Sequence, residues 1–123
     1  MKILAIDDEQ LVLLPLQKRL EELGYKVCTT TDANEGIGIY DRFKPDLVIV
    51  DINIPDFSGI EFINYIRINK NSSTPIIVLS GNTSNEIITN TFKLGINDFI
   101  KKPASLNDIC ARIKRLNIFF KIH

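Results

Sequence analysis

The chain carries a single histidine, His123, and only two cysteines, Cys28 and Cys110, far apart and without a C-x-x-C spacing. Zinc sites need clustered His and Cys donors and dithiol chemistry needs a close pair, so both have little support. The cysteines read instead as small buried hydrophobes. No apolar run approaches the ~20 residues of a membrane span, and the N-terminal MKILAIDDEQ is too short in apolar residues for a signal peptide. A cytoplasmic protein with no membrane partner is expected. An excess of charge is missing too, because fifteen Lys plus Arg balance fifteen Asp plus Glu. Nothing therefore draws the chain generally towards nucleic acid. Linkers, low-complexity stretches and sequence repeats are also absent, so residues 1–123 are expected to form one domain with its own core.

What is present is an alternation. Five short apolar runs recur, ILAI at 3–6, YKVCT at 25–29, LVIV at 47–50, IIVL at 76–79 and FI at 99–100, each followed by helix-like sequence. Strand-helix alternation of this kind predicts parallel strands joined by right-handed crossovers, with helices on both faces. LVIV is apolar on both sides of the pleat, as a central parallel strand must be. In the last segment Leu106, Ile109, Cys110, Ile113, Leu116 and Phe120 recur at three- and four-residue intervals, an amphipathic stripe able to cover a sheet. Gly24 and Gly95 are placed to end the first and fourth helices. Pro15, inside EQLVLLPLQKRLEELG, is expected to kink the first helix or displace its start.

Open α/β sheets bind their ligands beyond the carboxyl ends of the strands. Here the first strand ends in Asp7-Asp8-Glu9, the third in Asp51, the fourth in Ser80-Gly81 and the fifth in Lys101-Lys102-Pro103. If the first and third strands are neighbours, Asp7, Asp8 and Asp51 converge, and unit charges ~4 Å apart repel by ~4 kcal/mol at an effective dielectric of ~20. A hard divalent cation, Mg²⁺ or Mn²⁺, suits such oxygen ligands and keeps several waters of its own. With one lysine ammonium added, three carboxylates and one such ion sum to zero. A carboxylate can attack phosphorus to form an acyl phosphate, and the charged oxygens then need a cation, a hydroxyl and backbone amides. Read singly, each signal has a plainer meaning: Asp-Asp-Glu as a helix N-cap with acids in its first turn, Ser80 as a turn residue, the lysines as solvated side chains.

Taken together and in this order, Asp7-Asp8, Asp51 followed by Pro55 and Gly59 as D-x-x-x-P-x-x-x-G, Ser80, and Lys102-Pro103 resemble the receiver domains of two-component response regulators, of the stand-alone chemotaxis-regulator kind. The resemblance covers the whole chain and implies a flavodoxin-like, doubly wound five-stranded sheet of order 2-1-3-4-5 with five helices. It implies that Asp51 is the phosphoacceptor, that Asp8, Asp51 and the Asn53 backbone carbonyl ligate Mg²⁺, and that Asp7 orients a metal-bound water. Ser80 and Lys102 would bind the phosphoryl oxygens, Pro103 would follow a cis bond, Phe99 would be the switch aromatic, and Asn53 and Asn82 would tune the lifetime of the phosphoryl group. The plainer reading of Phe99 is core in the fifth strand, and that of the two asparagines is loop and capping residues.

The implied partners are a histidine kinase or phosphotransfer protein and an unidentified downstream protein, reached through the face of the fourth helix, fifth strand and fifth helix, where a homodimer could also form. With no DNA-binding segment after LNIFFKIH, output by protein contact is expected. Ile118 and Phe119, off the apolar stripe, are expected on that kind of surface. The alternatives are a receiver module of a longer regulator, a receiver-like module that is never phosphorylated, and a haloacid-dehalogenase-type phosphatase, whose second carboxylate is replaced here by Asn53.

Overall fold

A strand that is apolar on both faces must be covered on both, and the sequence meets that demand by period. In the computed structural model, which describes residues 1–53 and 59–120 and the side chains as far as 118, β1 (Lys2–Ile6), β2 (Lys26–Thr30), β3 (Leu47–Asp51), β4 (Ile76–Ser80) and β5 (Asp98–Lys101) alternate with α1 (Gln10–Glu22), α2 (Ala33–Phe43), α3 (Gly59–Asn64), α4 (Asn85–Lys93) and α5 (Leu106–Phe120). All pairings are parallel and the strand order is β2-β1-β3-β4-β5, the flavodoxin-like arrangement, with β2 and β5 outermost.

Because successive side chains of a strand point to opposite faces, the odd-numbered Ile3, Ala5, Leu47 and Ile49 pack beneath Leu13, Leu16 and Leu20 of α1 and Ile109, Cys110, Ile113 and Leu116 of α5. The even-numbered Leu4, Ile6, Val48 and Val50 face Ala33 and Tyr40 of α2 and Phe62, Ile63 and Ile66 of the third helical segment. Cys110 is buried and Cys28 half-buried, both as free thiols. Phe120, the last member of the stripe, has a side chain outside the described residues, as do Phe119 and Pro55.

Gly24 and Gly95, at φ of +93° and +96°, end α1 and α4 in the left-handed region that a side chain disfavours. Pro15 lies inside α1 without displacing its start, since the amides of Val12 and Leu13 both bond the Glu9 carbonyl and the helix begins at Gln10. Past Asn64 the third helix loosens into a π-helical stretch, Tyr65–Asn69. Among the described residues no helix is long and apolar enough to cross a membrane.

Candidate functional site

The sheet register brings the strand-end acids together. Ile6 pairs with Val50, so Asp7 and Asp51 are next-door neighbours one residue further on, and Ser80 pairs with Lys101, which places Lys102 just beyond. The Lys102 amide donates to the Ser80 carbonyl at 2.9 Å and the Lys102–Pro103 bond is cis. From there the Lys102 side chain reaches back over the sheet edge, its Nζ 2.9 Å from Asp51 Oδ2, 2.7 Å from Asp7 Oδ2 and 3.2 Å from Glu9 Oε1. The contacts with Asp51 and Glu9 are hydrogen bonds, and that with buried Asp7 Oδ2, the shortest, is a close ion pair.

Asp7 and Asp51 are almost wholly buried, and Asp8 and Glu9 are exposed. Their remaining oxygens are fixed by backbone: Asp7 Oδ1 accepts from the Glu9 amide and Asp51 Oδ1 from the Asn53 amide, each at 2.9 Å. Burial raises the Asp7 carboxyl above its ordinary value, only partly opposed by Lys102. For Lys102 burial pulls downward, but the contacts with Asp7 and Asp51 outweigh it and the ammonium is held above its usual range. Lys102 is therefore a fixed positive charge at neutral pH.

Carboxylate oxygens of Asp7, Asp8, Glu9 and Asp51 all lie within 4.8 Å of one another. Four carboxylates against one ammonium leave three negative charges unbalanced, which a divalent cation would cut to one. The donor set is all oxygen and carries more negative charge than one ammonium balances, so the residues present fit Mg²⁺ or Mn²⁺. Ser80, wholly buried, accepts at Oγ from Asn53 Nδ2 and from the Asn82 amide, both at 3.1 Å. Among the described residues its own O–H has no acceptor.

The other expected residues are more dispersed. Asn82 is exposed, its side chain accepting from the Ser84 amide as that residue caps α4. Phe99 is half-buried and packs on the α2–α3 side of the sheet. Lys101 and Ile118 are exposed. Gly59, the first residue of α3, lies so close to the strand end that a Cβ there would stand 2.3 Å from the Asp51 carbonyl oxygen.

Glu9 is the member of the site that the sequence reading passed over. It holds the N-cap position of α1 but makes no side-chain cap hydrogen bond, and its carboxylate turns to Lys102 instead. Its signal was its place in the Asp-Asp-Glu run. Beside it an open groove of about 590 Å³ runs between α1 and the start of α5, lined by Leu11, Val12, Pro15, Pro103 and Leu106, with Glu9 and Lys102 at its inner end.

This geometry has close parallels. A family model described as the response regulator receiver domain matches residues 3–114. The cell cycle transcriptional regulator CtrA of Caulobacter vibrioides is 33% identical over 113 residues, covering 92% of this chain and 48% of that protein. The alkaline phosphatase synthesis transcriptional regulatory protein PhoP of Bacillus subtilis is 34% identical over 115 residues, covering 94% and 48%. The chain thus spans about half the length of these curated relatives. Among solved structures, Vibrio cholerae chemotaxis protein CheY4 superposes with a TM-score of 0.86 at 28% identity, covering 93% of this chain and 96% of that one. With five parallel strands in the same order and the acidic cluster at their carboxyl ends, this chain belongs to the response regulator receiver domains of two-component signalling.

Proposed function

We propose that Asp51 accepts a phosphoryl group from the phosphohistidine of a histidine kinase or phosphotransfer protein, in a reaction that depends on Mg²⁺ or Mn²⁺. The observation that carries this reading is the setting of Asp51: buried, one oxygen fixed by the Asn53 amide, the other 2.9 Å from the Lys102 ammonium, among three further carboxylates. A carboxylate oxygen of Asp51 attacks phosphorus, and the new O–P bond forms as the donor's N–P bond breaks. The electron pair of that bond leaves with the imidazole nitrogen. When bound to Asp8, Asp51 and the Asn53 backbone carbonyl, with Asp7 orienting one of its waters, a divalent cation supplies the positive charge that such oxygens need.

The product carries three strong acceptor oxygens. Lys102 takes one by charge, and Ser80, whose O–H has no acceptor among the described residues, donates to another. To reach it the Ser80 hydroxyl moves towards Asp51, and the β4–α4 turn moves with it. Phe99 turns inward into the space vacated, and the α4–β5–α5 face changes shape. That face then meets a downstream protein or a second copy of the chain. Asn53 and Asn82, flanking Asp51 and Ser80, govern how readily water reaches the phosphoryl group.

Incubation with acetyl phosphate and Mg²⁺, followed by intact mass, tests the reading. The expected result is one added phosphoryl group, lost in Asp51→Asn and lost on chelation of the metal. No addition from acetyl phosphate or from a phosphorylated histidine phosphotransfer protein would leave a binding module and overturn the proposal.

A further inference from the structure

Lys102 is surrounded by three carboxylates that are not equivalent. Asp7 and Asp51 are buried, and each has its second oxygen anchored by a backbone amide. Glu9 is more than half exposed, and among the described residues its side chain has no partner except the ammonium. An ammonium has three N–H donors. Two go to Asp51 and Glu9 in hydrogen bonds, and Asp7 Oδ2, the nearest oxygen of all, is held as a close ion pair. Glu9 therefore holds one donor at the rim of the site, at 3.2 Å the longest of the three contacts, while the ammonium stays closest to Asp7. It does so at the expense of its own helix, whose N-cap position it occupies without capping. Asp32 and Ser84, at the same position of α2 and α4, both use their side chains as caps.

Resting on the phosphoacceptor reading of Asp51, we propose that Glu9 is a positioning residue that holds one donor of Lys102 in the unphosphorylated protein and releases it when phosphoryl oxygens arrive. Of the three acceptors, Glu9 is the one whose contact water can replace, because its carboxylate already faces solvent, whereas an abandoned buried aspartate would keep an uncompensated charge. The exchange is thus directed: Lys102 keeps its inner partners and trades the outer one. Glu9 sets a threshold on phosphoryl binding without touching phosphorus.

The test compares the wild-type chain with Glu9→Gln and Glu9→Ala. Beryllofluoride, a phosphoryl mimic, is titrated at saturating Mg²⁺, so that any weakening of cation affinity by the lost carboxylate does not enter. An exposed ion pair of this kind corresponds to about a two- to five-fold change in an equilibrium constant. Glu9→Gln and Glu9→Ala are therefore expected to bind beryllofluoride about two- to five-fold more tightly, Ala at least as tightly as Gln. In ¹⁵N-lysine-labelled protein without fluoride, the Lys102 ammonium signal should shift in both variants while the thermal midpoint stays put, a change that a purely structural role would not produce. Wild-type binding that Asp51→Asn abolishes, together with unaltered affinity and an unmoved Lys102 signal in the Glu9 variants, overturns the Glu9 inference alone. Failure of the wild type to bind beryllofluoride overturns the phosphoacceptor reading and this inference with it.

Discussion

The two ends of the sheet treat charge in opposite ways. At the amino ends of the strands polar groups are matched: Arg67 donates to the Gly95 carbonyl, the Ser72 carbonyl and Asn97 Oδ1. Asn97 in turn accepts from the Ile76 amide, Lys2 donates to the Phe43 carbonyl, and the hydroxyls of Tyr40, Ser72 and Thr74 bond one another. At the carboxyl ends four carboxylates cluster, and three of them, Asp7, Glu9 and Asp51, share the Lys102 ammonium. One end holds the helices and loops in place; the other keeps an excess of negative charge that a divalent cation would reduce. Polar groups already paired within the fold leave a ligand little to add.

The comparison can be broken first at Gly59, which forms the floor of the reactive end. A methyl group there meets backbone at 2.3 Å, so Gly59→Ala is expected to lower stability by about 3 kcal/mol in urea unfolding and to abolish phosphoryl uptake, because α3 cannot retreat without dragging Asp51. Arg67→Ala attacks the matched end and strands several half-buried acceptors. About 2 kcal/mol should be lost, with beryllofluoride affinity changed by less than two-fold. A larger effect on affinity would show that the two ends are not independent.

The imbalance itself is probed by ligand. Adding Mg²⁺ at ten times its dissociation constant should raise unfolding stability by about 1.4 kcal/mol in the wild type and in Arg67→Ala, and by less in Asp51→Asn. The smallest effect, and the one of unusual sign, concerns Asp7. Its folded-state pKa is raised, so the fold disfavours the ionised form, a penalty present above that pKa and relieved as pH falls through it towards the ordinary 3.8. In metal-free buffer Asp7→Asn should therefore be more stable than wild type at pH 7, by less than the effect of Mg²⁺, and the gain should shrink as the pH is lowered. A loss at pH 7 would mean that Asp7 is a structural partner of Lys102 rather than a strained acid.

The alternation of apolar runs made the layered sheet legible, because a strand buried on both faces leaves no other use for Leu47–Val50. The site was legible in so far as it consists of strand ends, and the parallel register carries Asp7 to Asp51 with little further choice. What the chain did not disclose depends on reach across space. That Glu9 bends towards a lysine 93 residues away depends on where the end of β5 sits, as does the bond from Asn53 to Ser80. Arg67 was silent for a different reason: its acceptors are mostly backbone carbonyls, which any sequence provides, and the π-helical turn that aims it has no apolar period of its own.

The outermost position of β2 and β5 has a consequence for solubility. Each offers one unpaired row of amides and carbonyls, a template on which another strand can assemble. Lys26 opens β2 and Lys101 closes β5, both exposed, and β5 is only four residues long. Replacing these two lysines with valine should leave the monomer folded yet let neighbouring molecules zip together edge to edge, so the damage would appear as fibrous precipitate before any loss of the native state.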